Sequence, residues 1–480
     1  MEKSVLAELK RIVGEKNFSD SQEDKICYSY DGTPVLQYYP EAVVFPESED
    51  QISRIMHIAN ENRFAVVPRG AGTGLSGGSV PVENSIVMVM TKWNKILEID
   101  EKNLTAWVEP GVITSRLQDK VESLGLFYPP DPGSRTVCTI GGNVAENAGG
   151  LRGLKYGVTK NYVMGVEMVM PDGSLLKSGG KNFKDVAGYN LRDFVVGSEG
   201  TLGIFTKILL KLIPRPHKSI TLLAYFDKLL DSARAVSSII EAHITPSMME
   251  FLDHTTINCV EDYTKIGLPR NSEAILLIEV DGKGSGVDED AYEIEAILRK
   301  CNSSFIKKAD STSESEVLKT ARRAAFSALA RQKPTTILED ATVPRSELPV
   351  MIEKTQKIFK EYDLLLGNFG HAGDGNLHPT CLTDERDKAQ IDRAFRAFDK
   401  VYEEAIKLGG TISGEHGTGL AKKPFLEALV GPVGLDMMKK IKSSIDPNQV
   451  LNPGKVFSLS PHCEGSLPNN QEQIKPFHNH

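Results

Sequence analysis

The 480-residue sequence has only six cysteines (Cys27, Cys138, Cys259, Cys301, Cys381, Cys463), and no two of them are spaced as CxxC. That excludes a cysteine-ligated iron–sulfur cluster or a four-cysteine zinc site built from this chain. It also supplies no disulfide framework, which fits a reducing, cytoplasmic setting. Long apolar runs are missing too: the longest, such as residues 86–90, have the length of a strand and not of a membrane span. The first residues, MEKSVLAELKRIVGEKN, are charged throughout and lack the apolar core of a signal peptide. Positive charge is in deficit, 56 Lys and Arg against 64 Asp and Glu, leaving a net charge of -8. This argues against nucleic acid or an anionic membrane as the main partner. Repeats and low-complexity segments are absent. The nearest approach is the polar, proline-containing tail from Ser458, which reads as poorly ordered.

What is present is an ordinary soluble composition, 40% hydrophobic and 25% charged, on a chain too long for one core. In the first half, short β-branched runs alternate with helical patterns. Residues 42–45, 64–67, 85–90, 106–109 and 162–170 read as strands, the last closed by a Pro-Asp-Gly turn at 171–173. Ser48 and Gln51 form a capping-box pair opening a helix with Ile52, Ile55, Met56 and Ala59 on one face. After Pro214–Pro216 the glycine clusters stop, and residues 218–310 read as a separate strand–helix–strand–helix unit. The expected division is 1–216, 217–412, 413–457 and the tail 458–480.

Glycine is dense from Gly70 to Gly78, from Gly141 to Gly157 and from Gly197 to Gly203. The first stretch contains GTGLSG, a literal GxGxxG at Gly72, Gly74 and Gly77. A dinucleotide-binding loop would open a helix there, yet the continuation SVPVENSIVMVM brings Pro81 and then another strand. The segment is therefore a long Gly/Ser/Thr loop between strands. Its backbone N–H groups can converge on an anion, and Thr73 and Ser76 add hydroxyl donors. Five glycines in nine residues, flanked by apolar strands, are more than a flexible surface loop requires.

Taken together, PRGAGTGLSGG, YPPDPGSRTVCTIGGNVAENAGG and GYNLRDFVVGSEGTLGI resemble the FAD-binding domain of the vanillyl-alcohol-oxidase-type flavoproteins. The resemblance is closest to the D-lactate dehydrogenase, glycolate oxidase flavoprotein subunit and D-2-hydroxyglutarate dehydrogenase branch, over roughly residues 30–457. It implies an α+β fold, an FAD-binding domain plus an α+β cap domain that binds substrate. It further implies that FAD is held by Pro68, Gly70, Gly72, Thr73, Gly74, Leu75, Ser76 and Gly77 of the first loop. From the second region it implies Pro132, Gly133, Ser134, Gly141, Gly142, Asn143, Gly149, Gly150 and Gly157, followed by Gly203, Ile204 and, near the C-terminus, Asn452. Some relatives attach FAD through a His in the first loop or a Cys in the second. Residues 68–81 contain neither, and Cys138 lies in the context VCTIGG, which does not match the attachment motif, so the flavin is expected to be non-covalent.

HAGDGNLH (371–378) and SGEHGTG (413–419) form a second group of motifs. Two imidazoles and a carboxylate are a common ligand set for Zn2+, Mn2+ or Fe2+. The resemblance implies that His371, His378 and Glu415 bind a divalent metal that chelates the substrate. It also implies that His416 is the base, with His416 and Asn376 at the substrate. Alcohol oxidation does require removal of the hydroxyl proton, although His416 could instead hydrogen-bond a backbone carbonyl. Arg322 shares a helix face with Leu318, Ala325 and Leu329, while Arg323 points elsewhere. An arginine on an apolar face needs an anion: a substrate carboxylate, as the resemblance implies, or a structural salt bridge. The 2-hydroxyglutarate enzymes carry a lysine a few residues before the Pro matching Pro344; here that register holds Leu338. A monocarboxylate, D-lactate ahead of glycolate, is therefore expected. With no cluster, haem motif or nicotinamide loop in the chain, electrons must leave to something outside it: oxygen, which would make the enzyme a peroxide generator, or, as the resemblance more often implies, an electron-transferring flavoprotein, an iron–sulfur subunit or a membrane quinone system. A non-catalytic FAD-bearing electron-transfer subunit would not need the His, Glu and Arg set. A metallohydrolase would leave the glycine clusters unused.

Overall fold

In the computed structural model, which describes residues 1–458, the first glycine loop is framed by a mixed four-stranded sheet. Its order is Phe18–Ser19, Ala42–Val44, Ser85–Val89, Ala65–Arg69, and the last three strands run parallel. Parallel neighbours need a crossover, and the helix Glu49–Asn62 supplies one, burying Ile52, Ile55, Met56, Ile58 and Ala59. Each of the buried isoleucines and Met56 contributes about 1.5–3 kcal/mol. The N-terminus is capped by Ser48 Oγ, which accepts the Gln51 N–H at 3.2 Å, but the Gln51 side chain accepts from Glu47 N–H at 2.7 Å and not from Ser48. The expected box is thus displaced by one residue.

A five-stranded antiparallel sheet follows, in the order Ile96–Asp100, Thr105–Val108, Ile204–Lys211, Val163–Val169, Leu175–Gly179. The 171–173 turn joins the last pair, with Gly173 N–H donating to Met170 O at 2.9 Å. The strand Ile96–Asp100 was not expected; it is half-exposed and shows no apolar alternation.

The remaining large sheet has eight antiparallel strands. In order they are Ser303–Lys308, Lys218–Phe226, Ala274–Gly282, Met248–Asp253, Leu365–His371, Asn376–Thr383 and Thr335–Leu338, with Ala341–Thr342 also pairing on Asn376–Thr383. Residues 218–310 are therefore no self-contained unit, because three later strands and that short pairing segment complete their sheet. Both faces are covered. Leu222, Ala224, Phe226, Phe251, Leu276 and Leu377 pack with the helices Leu229–Glu241, Gly286–Lys300, Leu348–Glu361 and Lys388–Lys407. Leu223, Leu252, Leu277, Leu338 and Phe369 pack on the opposite face, against helices His254–Thr264, Thr312–Arg323 and Ala325–Leu329, together with Leu75 and Leu151 from the glycine-rich half. Strand pleating alternates side chains between faces, so Glu250, His371 and His378 follow the parity that looks toward the glycine loops.

The chain ends by returning: Val66 N–H donates to Val450 O at 2.7 Å and Asn452 N–H to Val66 O at 2.9 Å, beside the strand Ala65–Arg69. Among the described residues no helix is long and apolar enough to cross a membrane. Cys27, Cys138, Cys259, Cys301 and Cys381 are all free thiols. Cys463 and the tail beyond Ser458 lie outside the described residues.

Candidate active site

A cavity of about 560 Å³ lies between the glycine-rich half and the large sheet. Pro68, Gly70, Gly72, Thr73, Gly74 and Leu75 line it from the first loop, which leads into Pro81 and the next strand without a helix. Gly72 has φ +71°, and a Cβ there would lie 2.1 Å from Arg69 Nη2, so this position requires glycine. The second cluster contributes Pro132, Gly133, Ser134, Gly141, Gly142 and Asn143, and the third Gly203 and Ile204. Residues 140–146 form a helix, capped by Thr139 Oγ1 accepting Gly142 N–H at 3.2 Å.

Six of the expected cofactor residues stand behind the wall instead of lining it: Ser76, Gly77, Gly149, Gly150, Gly157 and Asn452. Their bonds explain the displacement. Ser76 O accepts N–H groups of Leu420 and Ala421, at 2.8 and 3.1 Å. The Asn452 amide donates to Gly78 O at 3.0 Å and Glu199 O at 2.8 Å. Gly149 backs onto Glu415, where a Cβ would meet Oε2 at 2.8 Å. Gly77, Gly150 and Gly157 all have positive φ and shape the turns.

On the opposite wall, three imidazoles converge on one carboxylate oxygen. Glu415 Oε1 lies 3.1 Å from His371 Nε2, 3.3 Å from His378 Nε2 and 3.7 Å from His416 Nε2. Donors bound at about 2.0–2.2 Å to one divalent cation stand about 3.0–3.5 Å from each other. The first two spacings match a single cation held by His371, His378 and Glu415. His371 Nδ1 is backed by Glu250 Oε1 at 2.8 Å, the carboxylate–histidine arrangement common behind metal ligands. Burial opposes charging of His371, but Glu250 and Glu415 outweigh it and hold the ring well above the usual range. Glu415 is correspondingly held well below the carboxylate range: burial opposes this, and His371 and His378 prevail.

His416 stacks on His378, with ring centroids 5.0 Å apart and 16° between planes. Burial lowers its pKa to about 4, with Asp340 opposing, so the ring is neutral near pH 7 and free to accept a proton. Its Nδ1 lies 3.9 Å from Asp340 Oδ2 and has no hydrogen-bond partner. Asp340 Oδ2 also accepts from Ser413 Oγ at 2.9 Å and from the N–H groups of Gly414, Glu415 and His416 at 2.8, 3.0 and 3.1 Å. This one buried carboxylate fixes the turn that presents Glu415 and His416. Asn376 is not among the residues that line the cavity: its amide donates to Asp340 Oδ1 and, at 2.7 Å, to Thr342 Oγ1.

Arg322 is 5% exposed, lies in the cavity wall, and packs its guanidinium 4.8 Å from the Phe369 ring centroid. Its Nη2 is 2.6 Å from Glu250 Oε2, yet Nε and Nη2 have no aligned hydrogen bond. Buried guanidinium donors without acceptors await an anion. Arg323 also reaches the cavity, and not merely another face of the helix, while donating to Asp131 Oδ2 at 2.7 Å. Leu338 and Phe369 give the site an apolar wall.

Sequence reasoning missed Glu250 and Asp340. The only local signal of Glu250 is a carboxylate inside the apolar strand Met248–Asp253; Asp340 follows a strand and carries none.

Residues 215–456 match the family described as FAD linked oxidases, C-terminal domain, and residues 40–179 match a FAD binding domain. The chain is 52% identical to the glycolate oxidase subunit GlcD of Bacillus subtilis over 456 residues, 95% of this chain and 97% of that protein. It is 35% identical to a D-lactate dehydrogenase of Anaerostipes hadrus, over 87% of this chain and 89% of that one. Among solved structures, p-cresol methylhydroxylase superposes with a TM-score of 0.79 at 18% identity, covering 95% of this chain and 97% of its own. That last likeness is one of fold.

Proposed function

This chain belongs to the family of FAD-linked oxidases, and we propose that it is a dehydrogenase of short 2-hydroxymonocarboxylates with a divalent cation at its substrate. The observation that supports this reading best is the convergence of His371, His378 and Glu415 on one point of the cavity that the glycine loops line. When bound, FAD supplies the two-electron acceptor and the cation lowers the pKa of the substrate hydroxyl.

The chain's own residues do the rest. Arg322 takes the substrate carboxylate through Nε, which has no hydrogen-bond partner, while its Nη2 pairs with Glu250 Oε2 at 2.6 Å, so that Glu250 holds the arginine and His371 in one arrangement. Neutral His416 accepts the hydroxyl proton. Asp340, at 3.9 Å from Nδ1, stabilises the imidazolium that results. The substrate's C–H hydrogen departs with its electron pair, leaving a 2-oxo acid. Leu338 and Phe369 keep water from that carbon and offer no cation to a second carboxylate, which favours a monocarboxylate.

The apolar wall at Leu338 supports D-lactate, while the 52% likeness to a glycolate oxidase subunit favours glycolate. The electrons pass to a separate protein, an electron-transferring flavoprotein or an iron–sulfur subunit, since among the described residues no candidate metal group includes a cysteine. The test is anaerobic bleaching of the flavin by glycolate, D-lactate, L-lactate and D-2-hydroxyglutarate. Rapid bleaching by the first two alone is expected. Bleaching by none of them would reduce the chain to a non-catalytic FAD subunit.

A further inference from the structure

The cavity wall also holds a pair of carboxyl groups that neither the cation site nor the base uses. Glu146 ends the helix Ile140–Glu146, and Glu199 lies in the GSEGTLG turn with φ 51°. A left-handed backbone is uncommon outside glycine, asparagine and aspartate. Here it is fastened by Glu199 N–H donating to Ala145 O at 2.8 Å, which sets the two side chains together. A Cβ built on Gly417 would lie 2.3 Å from Glu146 Oε2 and 3.1 Å from Glu199 Oε1. Both residues line the cavity.

Their surroundings differ. Glu199 Oε1 accepts the Thr418 N–H at 2.7 Å and its Oε2 accepts the Gly419 N–H at 2.6 Å, bonds that suit an anion. Glu146 receives no such donor. Its Oε2 is enclosed without a partner, and its Oε1 faces Gly78, where a Cβ would meet it at 2.9 Å. Among the described residues no Lys, Arg or His forms an ion pair with either carboxyl. The charged groups acting on Glu146 are Glu199, Asp31 and Lys422; burial also pushes Glu199 up, and there the Thr418 and Gly419 N–H groups, then Lys422 and Lys455, oppose it. Burial first, then Glu199 and Asp31, push Glu146 well above the carboxylate range, and Lys422 opposes them. Two carboxyls this close with one set of donors do not both ionise.

We propose that Glu146 and Glu199 share one proton, carried on Glu146, and that the Glu146 O–H donates a hydrogen bond to an acceptor atom of the FAD in this cavity. Among the cofactor's groups, the phosphate oxygens, the ring carbonyls and the unprotonated ring nitrogens are acceptors, which an ionised Glu146 would repel and a neutral one can bind. Glu199 is the fixed anion that keeps the proton on its neighbour. The proposal rests on FAD occupying the cavity.

The test is titration of apoprotein with FAD from mildly acidic to alkaline pH, followed by flavin fluorescence. Wild-type affinity should fall about tenfold as Glu146 ionises and its donor becomes a repelling anion. E146Q keeps a donor and cannot ionise, so its affinity should stay within about threefold of the wild-type acid value and be flat with pH. An infrared difference spectrum of wild-type protein, with and without FAD, should contain a shifted protonated-carboxyl band that E146Q lacks. FAD binding with no such band in the wild type would overturn the proposal, whether or not the variant folds. So would a wild-type pH dependence identical to that of E146Q. Failure of the apoprotein to bind FAD at all would overturn the cofactor assignment and this proposal with it.

Discussion

Asp340→Asn puts the greatest demand on the site geometry. The wild-type Oδ2 gathers the Ser413 hydroxyl and the three successive N–H groups of Gly414, Glu415 and His416, while Oδ1 takes the Asn376 amide. An asparagine can turn its oxygen to only one of these sides, so a donor meets a donor at the other. Four bonds to a charged acceptor become bonds to a neutral one, a loss of about 1 kcal/mol each by the difference between the two classes. Relief of a buried carboxylate's desolvation offsets part of this, although Lys422, 3.8 Å away and fully buried, keeps only Glu339, at 3.7 Å, of its two carboxylate partners. A net destabilisation of about 2–4 kcal/mol follows. Burial opposes ionisation of Asp340, but His416 and Lys422 hold its folded pKa below the ordinary carboxylate value. The contribution is therefore present at neutral pH and lost only as pH falls below that ordinary value. Because the turn presents Glu415 and His416, a displacement of about 1 Å should lower turnover about 10²-fold. Cation affinity should drop about 10–100-fold. Urea unfolding, a cation titration and dye-linked turnover measure the three effects. Turnover and cation affinity both within about threefold of wild type would refute Asp340 as the organiser of the turn.

Other perturbations address single parts of the site. Dialysis against a chelator should abolish substrate oxidation and leave the flavin spectrum intact, since the ligand set is separate from the glycine loops; full activity in metal-free protein would remove the cation from the reaction. Arg322→Lys should raise KM about tenfold or more with a smaller effect on kcat, because an ammonium cannot present the planar fork; unchanged KM would leave the arginine a purely structural partner of Glu250. His416→Ala should bind substrate and reduce flavin about 10²–10⁴-fold more slowly in rapid mixing, and a change of only a few-fold would assign the base elsewhere. Acid precipitation should give a colourless pellet and a yellow supernatant, as residues 68–81 offer no His or Cys for attachment; a coloured pellet would contradict non-covalent binding.

Where the sequence was informative, the signal was local. The first glycine loop could be separated from a dinucleotide fold by Pro81 and the strand after it, both within a dozen residues of the last glycine. Helical periodicity put Arg322 on the buried face of Thr312–Arg323. What it could not supply was the partner, because Glu250 lies on a strand that only the sheet order brings beside His371. Asp340 is invisible for the same reason: its acceptors' partners come from a turn more than 70 residues later. The helix Ile140–Glu146 was missed because two glycines argue against helix by about 1 kcal/mol each. Packing overrides that preference, since a Cβ on Gly141 would meet Pro110 at 2.5 Å. Nor does the HAGDGNLH motif disclose that the Asn376 amide holds Asp340.

The site is an interface, and that is why neither half can be read alone. The glycine loops come from the first two sheets, the residues proposed to hold the cation and to act as base from the eight-stranded sheet and the returning chain. Their spacing is set by contacts across the boundary. Gly149 abuts the Glu415 side chain. Arg323 reaches Asp131 beside the Pro132–Ser134 wall. Asp281, at the end of the strand Ala274–Gly282, accepts the Tyr156 hydroxyl at 2.7 Å and pairs with Lys155 at 2.6 Å. Surface pairs are worth little singly, but Asp131 is 1% exposed with Arg135, Arg152 and Arg323 around it. Removing one partner there leaves buried charge uncompensated. The distance from the flavin loops to Glu415 is thus maintained by charges that lie outside the chemistry, and the reaction depends on them through geometry alone.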